Sequence, residues 1–102
     1  MRGEVYRLPA RGKGHEQTGG RFAVVLQPDW LHLSTWIVAF TSRTARETSF
    51  RPQVMIAGQE TLVMCDQLAT VDLRRLAEPA GFLTAEETQR VDEALALVLD
   101  LR

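Results

Sequence analysis

One cysteine, Cys65, cannot close an internal disulfide, and its scarcity fits a reducing compartment. A cytoplasmic location is therefore expected, with Cys65 as a small buried residue. The two histidines, His15 and His32, stand far from each other and from that cysteine. That spacing offers no zinc-ligand set, so neither a metal nor a cofactor is expected. No apolar run approaches the ~20 residues of a membrane span, which excludes a helical membrane anchor as an expectation. Met1-Arg2-Gly3-Glu4 leads straight into strand-like sequence, which does not read as a signal peptide. Nothing repeats, no segment is of low complexity, and no linker divides the chain. One domain over residues 1–102 is expected.

What is present suffices for a core. The chain has 102 residues, 45% of them hydrophobic and 25% charged, a balance at which one core forms without staples. The net charge of −1 argues against a generic nucleic-acid binder, but it hides an asymmetry. Residues 1–52 carry eight Lys/Arg against four Asp/Glu, a net of +4; residues 53–102 carry four against nine, a net of −5. Either the split is chance, or one side of the molecule faces a polyanion.

Apolar and β-branched runs separated by turn residues predict strands over Glu4–Leu8, Phe22–Gln27, Trp36–Phe40, Gln53–Ile56 and Leu62–Asp66. Pro9–Gly20, with four glycines and a proline, reads as a loop. Val71–Leu76 suggests a helical turn and Ala80–Leu83 a short extended piece. Thr84-Ala85-Glu86-Glu87 has the form of a capping box. Val91, Ala94, Leu95 and Val98 then fall on one helical stripe. Short strands followed by a terminal helix predict a mainly β domain, a small antiparallel barrel with that helix packed on it.

The chemistry gathers in Gly14-His15-Glu16-Gln17-Thr18-Gly19-Gly20-Arg21, which brings an imidazole, a carboxylate and a guanidinium together before a buried strand. A proton acceptor beside a fixed cation is what metal-free phosphoryl chemistry needs. Two further polar groups, Thr41-Ser42-Arg43 and Cys65-Asp66-Gln67, close apolar runs and are placed to meet on one rim of a sheet. In order and spacing these segments resemble the MazF/PemK/Kid family of toxin endoribonucleases. Arg2-Gly3-Glu4-Val5-Tyr6 looks like that family's first strand, and Thr70-Val71-Asp72 stands ahead of the terminal helix.

The resemblance implies an SH3-like barrel of the CcdB/PemK type, a homodimer, and a sequence-selective endoribonuclease that cuts single-stranded RNA, messenger RNA above all. It implies attack by the 2′-hydroxyl, inhibition of translation and growth, and restraint by a cognate antitoxin. Arg21 would stabilise the phosphorane, a task suited to a planar, permanently charged group. Thr41 would donate to a phosphate oxygen, or else bond only its own turn. Glu16 and His15 compete as proton acceptor, with Glu16 ranked ahead because some relatives keep only the glutamate. The family usually has proline after the arginine, where this chain has Phe22. Asp66 matches a base used in the Kid-like branch, but the arginine which that branch has two positions earlier is Met64 here. Arg21 is then the expected partner of Asp66.

Gln17, Ser42, Asp66 and Gln67 are expected to touch RNA, and Arg43, Arg46 and Arg51 to bind its backbone without reading sequence. Arg74 and Arg75 fall near a family position for substrate contact. Trp30, in a loop, is the candidate for stacking on an unpaired base, whereas Trp36 reads as core or dimer interface. His32 offers only its loop placement. Two rival functions stand beside the nuclease. A CcdB-like gyrase-binding toxin is disfavoured by the ending Leu99-Asp100-Leu101-Arg102. A catalytically inactive RNA- or protein-binding barrel draws on the Met64 and Phe22 departures.

Overall fold

The computed structural model describes residues 1–9 and 21–101. The segment carrying His15, Glu16 and Gln17 lies outside the described residues. Six strands, β1 (Glu4–Arg7), β2 (Phe22–Val25), β3 (Thr35–Ser42), β4 (Gln53–Ile56), β5 (Gln59–Asp72) and β6 (Pro79–Phe82), precede helix α1 (Ala85–Leu99). They form one antiparallel sheet in the order β4-β5-β3-β2-β1-β6. β4 and β6 approach each other, so the sheet nearly closes into a barrel.

β2 is buried on both faces, and that is why Phe22-Ala23-Val24-Val25 reads as continuous apolar sequence rather than an alternation. Phe22 and Val24 enter the main core with Val63, Cys65, Val91 and Ala94. Ala23 and Val25 turn the other way, into a second cluster with Val38 that is partly covered by Tyr6, Trp36 and Phe40. Of the helical stripe, Val91 and Ala94 are buried and Leu95 is half-buried, while Val98 is exposed.

The capping box forms as the sequence predicts. The Glu87 N–H donates to Thr84 Oγ1 at 3.1 Å, and the Thr84 N–H donates to Glu87 Oε1 at 2.9 Å. The second oxygen of Glu87 accepts the Met55 N–H of β4 at 2.9 Å. Arg90 adds a bond to the Gln53 carbonyl at 2.8 Å. Helix and edge strand are thus tied by the same turn that caps the helix.

Strand β5 departs most from expectation. It does not stop at Asp66 but continues to Asp72, taking in Val71, and only Leu73–Arg75 form a 3-10 turn. Pairing with β3 overrides the local polarity of Asp66-Gln67. That pairing is interrupted: Ala39 faces Leu68 and Thr41 faces Val63, so Phe40 alone stands opposite Met64–Gln67. Such a bulge bends a strand and re-aims its side chains. β3 likewise runs past Phe40, so Thr41 and Ser42 belong to the strand rather than to the turn after it.

Candidate active site

The start of β2, the end of β3 and the bulge of β5 meet at one rim. Arg21 reaches it from just before β2, exposed, with its guanidinium carbon 5.4 Å from the centre of the Phe40 ring. Stacking on an aromatic face orients the cation while leaving its N–H fork outward. The Arg21 carbonyl accepts the Leu8 N–H at 3.0 Å, which fixes the backbone behind it.

Thr41 is only 1% exposed. Its hydroxyl accepts the Phe22 N–H at 3.0 Å and donates to the Phe22 carbonyl at 3.3 Å. The side chain stands in for a ladder bond between β2 and β3, one residue from Arg21. Ser42 turns its oxygen to the Thr44 and Ala45 N–H groups, at 3.2 and 3.0 Å, and so starts the loop that carries Arg43 and Arg46. Both arginines are exposed, as is Gln67 on the bulge.

Asp66 is paired, but not with Arg21. Arg51 Nε donates to one carboxylate oxygen at 3.1 Å and its terminal nitrogen to the other at 2.9 Å. This correction has a geometric cause. The β4–β5 register sets Gln53 opposite Leu62, and the Pro52 carbonyl still accepts the Val63 N–H at 2.9 Å. Arg51 therefore arrives beside the bulge from the neighbouring strand end. Its hydrogen bonds hold the Asp66 carboxyl below the usual carboxylate range, and the carboxylate in turn raises the Arg51 pKa. Burial pushes the neighbouring Cys65 thiol up to about 11, with the Asp66 charge adding to it.

Trp30 is 75% exposed, but the β2–β3 connection that carries it lies at the opposite end of those strands from Arg21 and Thr41. Arg74 and Arg75 share that far end, since Thr35 faces Asp72, and Arg74 is paired there with Asp72. Trp36 is half-buried against Tyr6, with ring centres 5.5 Å apart. Among the described residues no three His, Cys, Asp or Glu side chains are grouped to hold a metal.

The model of the PemK-like, MazF-like toxins of type II toxin–antitoxin systems matches residues 1–99. The chain belongs to that family. A Mycobacterium tuberculosis H37Rv protein named as a toxin, Rv3098A, is 34% identical, with 99% of this chain and 98% of that protein covered. Endoribonuclease MazF9 of the same organism is 32% identical, covering 98% of this chain and 96% of the relative. A solved mycobacterial endoribonuclease, in complex with its cognate antitoxin, superposes with a TM-score of 0.81 over all of this chain and 96% of its own. Its identity is 20%, so it speaks to the fold; with the Mycobacterium tuberculosis toxin MazF-mt6, 22% identical at a TM-score of 0.78 over 97% of this chain and 98% of its own, it shows that the nearly closed antiparallel barrel with one terminal helix is the MazF-like fold. In this MazF-like toxin, then, the family barrel brings Arg21, Thr41, Ser42 and Asp66 to one rim and leaves Trp30 at the other end.

Proposed function

We propose that this MazF-like toxin is a sequence-selective endoribonuclease that cuts single-stranded RNA, messenger RNA first, and so inhibits translation and growth. The observation that carries the reading is Arg21, a cation stacked on Phe40 with its fork open to solvent, on a rim shared with Thr41 and Asp66. The relatives named as toxin and endoribonuclease support it.

In the reaction we assign, Glu16, or His15 in its place, takes the proton of the 2′-hydroxyl. The freed oxygen attacks the adjacent phosphorus. Arg21 holds the non-bridging oxygens as negative charge grows on them, an electrostatic role worth about 3–4 kcal/mol per donor. The bond to the 5′-oxygen breaks, that oxygen takes a proton from water, which recovers one from the protonated Glu16 or His15, and the products carry 2′,3′-cyclic phosphate and 5′-hydroxyl ends. Arg43 and Arg46 bind the RNA backbone, and RNA contact is assigned as well to Ser42, Asp66 and Gln67, and to Gln17 from its place in the sequence. Thr41 serves through Phe22, holding the peptide that follows Arg21. The active form is a homodimer, and a cognate antitoxin restrains it by covering the same surface.

The test is incubation with a mixed RNA pool and mapping of the ends at nucleotide resolution. Cyclic phosphate ends, and cleavage that persists in excess EDTA, are expected. Replacing the ribose on the 5′ side of the cut with deoxyribose should stop cleavage and turn the oligonucleotide into a competitive inhibitor. Cleavage of that deoxy substrate would point to an activated water. No cleavage of any RNA would move the assignment to a gyrase-directed toxin or an inactive barrel.

A further inference from the structure

Arg51 makes more contacts than a backbone-binding cation can spare. Besides its two bonds to Asp66, its remaining terminal nitrogen donates to the Arg46 carbonyl at 3.1 Å, and its guanidinium carbon lies 5.5 Å from the centre of the Phe50 ring. The pair with Asp66 is two-pronged, and the two side chains are 18% and 28% exposed. These contacts join three things: the bulge of β5, the middle of the 43–52 loop, and the ring of Phe50, which packs on the main core. The loop's first turn is held by Ser42, and its last turn by the Arg51 N–H on the Thr48 carbonyl at 3.1 Å. Between those turns the Arg46 carbonyl is tied to the body of the protein through Arg51.

We propose that the Arg51–Asp66 pair is a clamp that positions the 43–52 loop on the β5 bulge and so presents Arg43 and Arg46 to RNA. Arg51 is a positioning residue in this scheme, not a third phosphate-binding cation. The proposal rests on the ribonuclease reading for its RNA half, while the clamp itself is a property of the free protein. The chemistry of the fork makes it testable. Lysine keeps the charge of Arg51 but cannot span both carboxylate oxygens and the Arg46 carbonyl at once. Asparagine at Asp66 keeps the shape but offers one acceptor where the fork needs two.

The full-length protein, without RNA, is digested briefly with trypsin, and cutting after Arg43 and Arg46 is timed in the wild type, Arg51→Lys, Asp66→Asn and the double variant. In each variant cutting at these two sites should accelerate about fivefold, the scale of a lost partly exposed charge pair. The double variant should be cut no faster than the faster single. Simultaneous acceleration after Arg74 and Arg90 would instead mean general unfolding, and would overturn the clamp. On a labelled single-stranded RNA, Arg51→Lys should raise KM about fivefold while kcat stays within about twofold. If Arg51 were a phosphate-binding cation, Arg51→Lys would keep KM and leave the tryptic cutting unchanged, and the clamp would be wrong. A wild-type protein that cuts no RNA would end the ribonuclease reading, and the trypsin experiment would still decide the clamp.

Discussion

Arg21 and Thr41 sit one residue apart across the β2–β3 ladder, yet they use that place differently. Arg21 is exposed and contributes little to the core, so Arg21→Ala should leave the melting temperature almost unchanged. Cleavage should nevertheless fall by about 10²–10³, the effect of removing one preorganised donor. Thr41 is buried and bound twice to Phe22. The family's usual proline at position 22 would have no N–H to give, whereas Phe22 has one and Thr41 accepts it. The Phe22 departure therefore engages the hydroxyl that the resemblance assigns to phosphate. Thr41→Val leaves the Phe22 N–H and carbonyl without their partner, which should cost about 1–3 kcal/mol. Its loss of activity should track this destabilisation, and Thr41→Ser should recover both. A Thr41→Val protein with wild-type melting and lost activity would return the hydroxyl to direct phosphate contact.

At the scale of the elements, the capping box was legible because Thr84 and Glu87 encode it within four residues. The helix stripe was legible as well, since Val91 and Ala94 obey the helical period. The second role of Glu87 was not, because its partner Met55 is on another strand. The length of β5 was hidden for a related reason: Asp66 and Gln67 look like a turn, and only pairing with β3 carries the strand through them. The Arg51–Asp66 pair had a signal that a hairpin reading could have used. Ala57 and Gly58, both at positive φ, make a two-residue turn that sets the register of β4 on β5. Counting back from it puts Arg51 opposite Met64, beside the bulge. The doubled role of Glu87 also predicts a graded response. Thr84→Ala removes one half of the cap and should cost about 1 kcal/mol, or ~4–8 °C of melting temperature. Glu87→Ala loses the other half and the bond to β4 together, so it should cost more than Thr84→Ala. Glu87→Gln keeps one acceptor oxygen and should fall between the wild type and Glu87→Ala in thermal melts.

Taken whole, the charge asymmetry of the sequence does not become two separate surfaces. Helix α1 exposes Glu86, Asp92 and Glu93 but also Arg90, the 43–52 loop exposes Arg43 and Arg46 but also Glu47, and Glu47, Arg51, Arg90 and Glu93 line one hollow between them. The core that α1 covers uses one face of β2; the other face carries Ala23 and Val25, under the partly buried Tyr6, Leu8, Trp36, Phe40, Val71 and Leu76. Half-covered aromatic and aliphatic side chains of this kind suit an interface, whose centre is typically apolar and poor in charge. Phe40 belongs to that face and also carries the Arg21 guanidinium, so a second copy seated there would stand beside the cation to which we assign phosphate binding. Sedimentation equilibrium at micromolar concentration should therefore give about twice the chain mass of 11.5 kDa. Val71→Asp places a charge in the half-buried face without touching Arg21, Thr41 or Asp66. It should lower the mass toward the monomer and reduce kcat/KM for RNA in the same concentration range. Adding more of the variant should restore both together, because mass action favours the dimer. A monomer that cuts RNA at the wild-type rate would show that one chain is sufficient for cleavage.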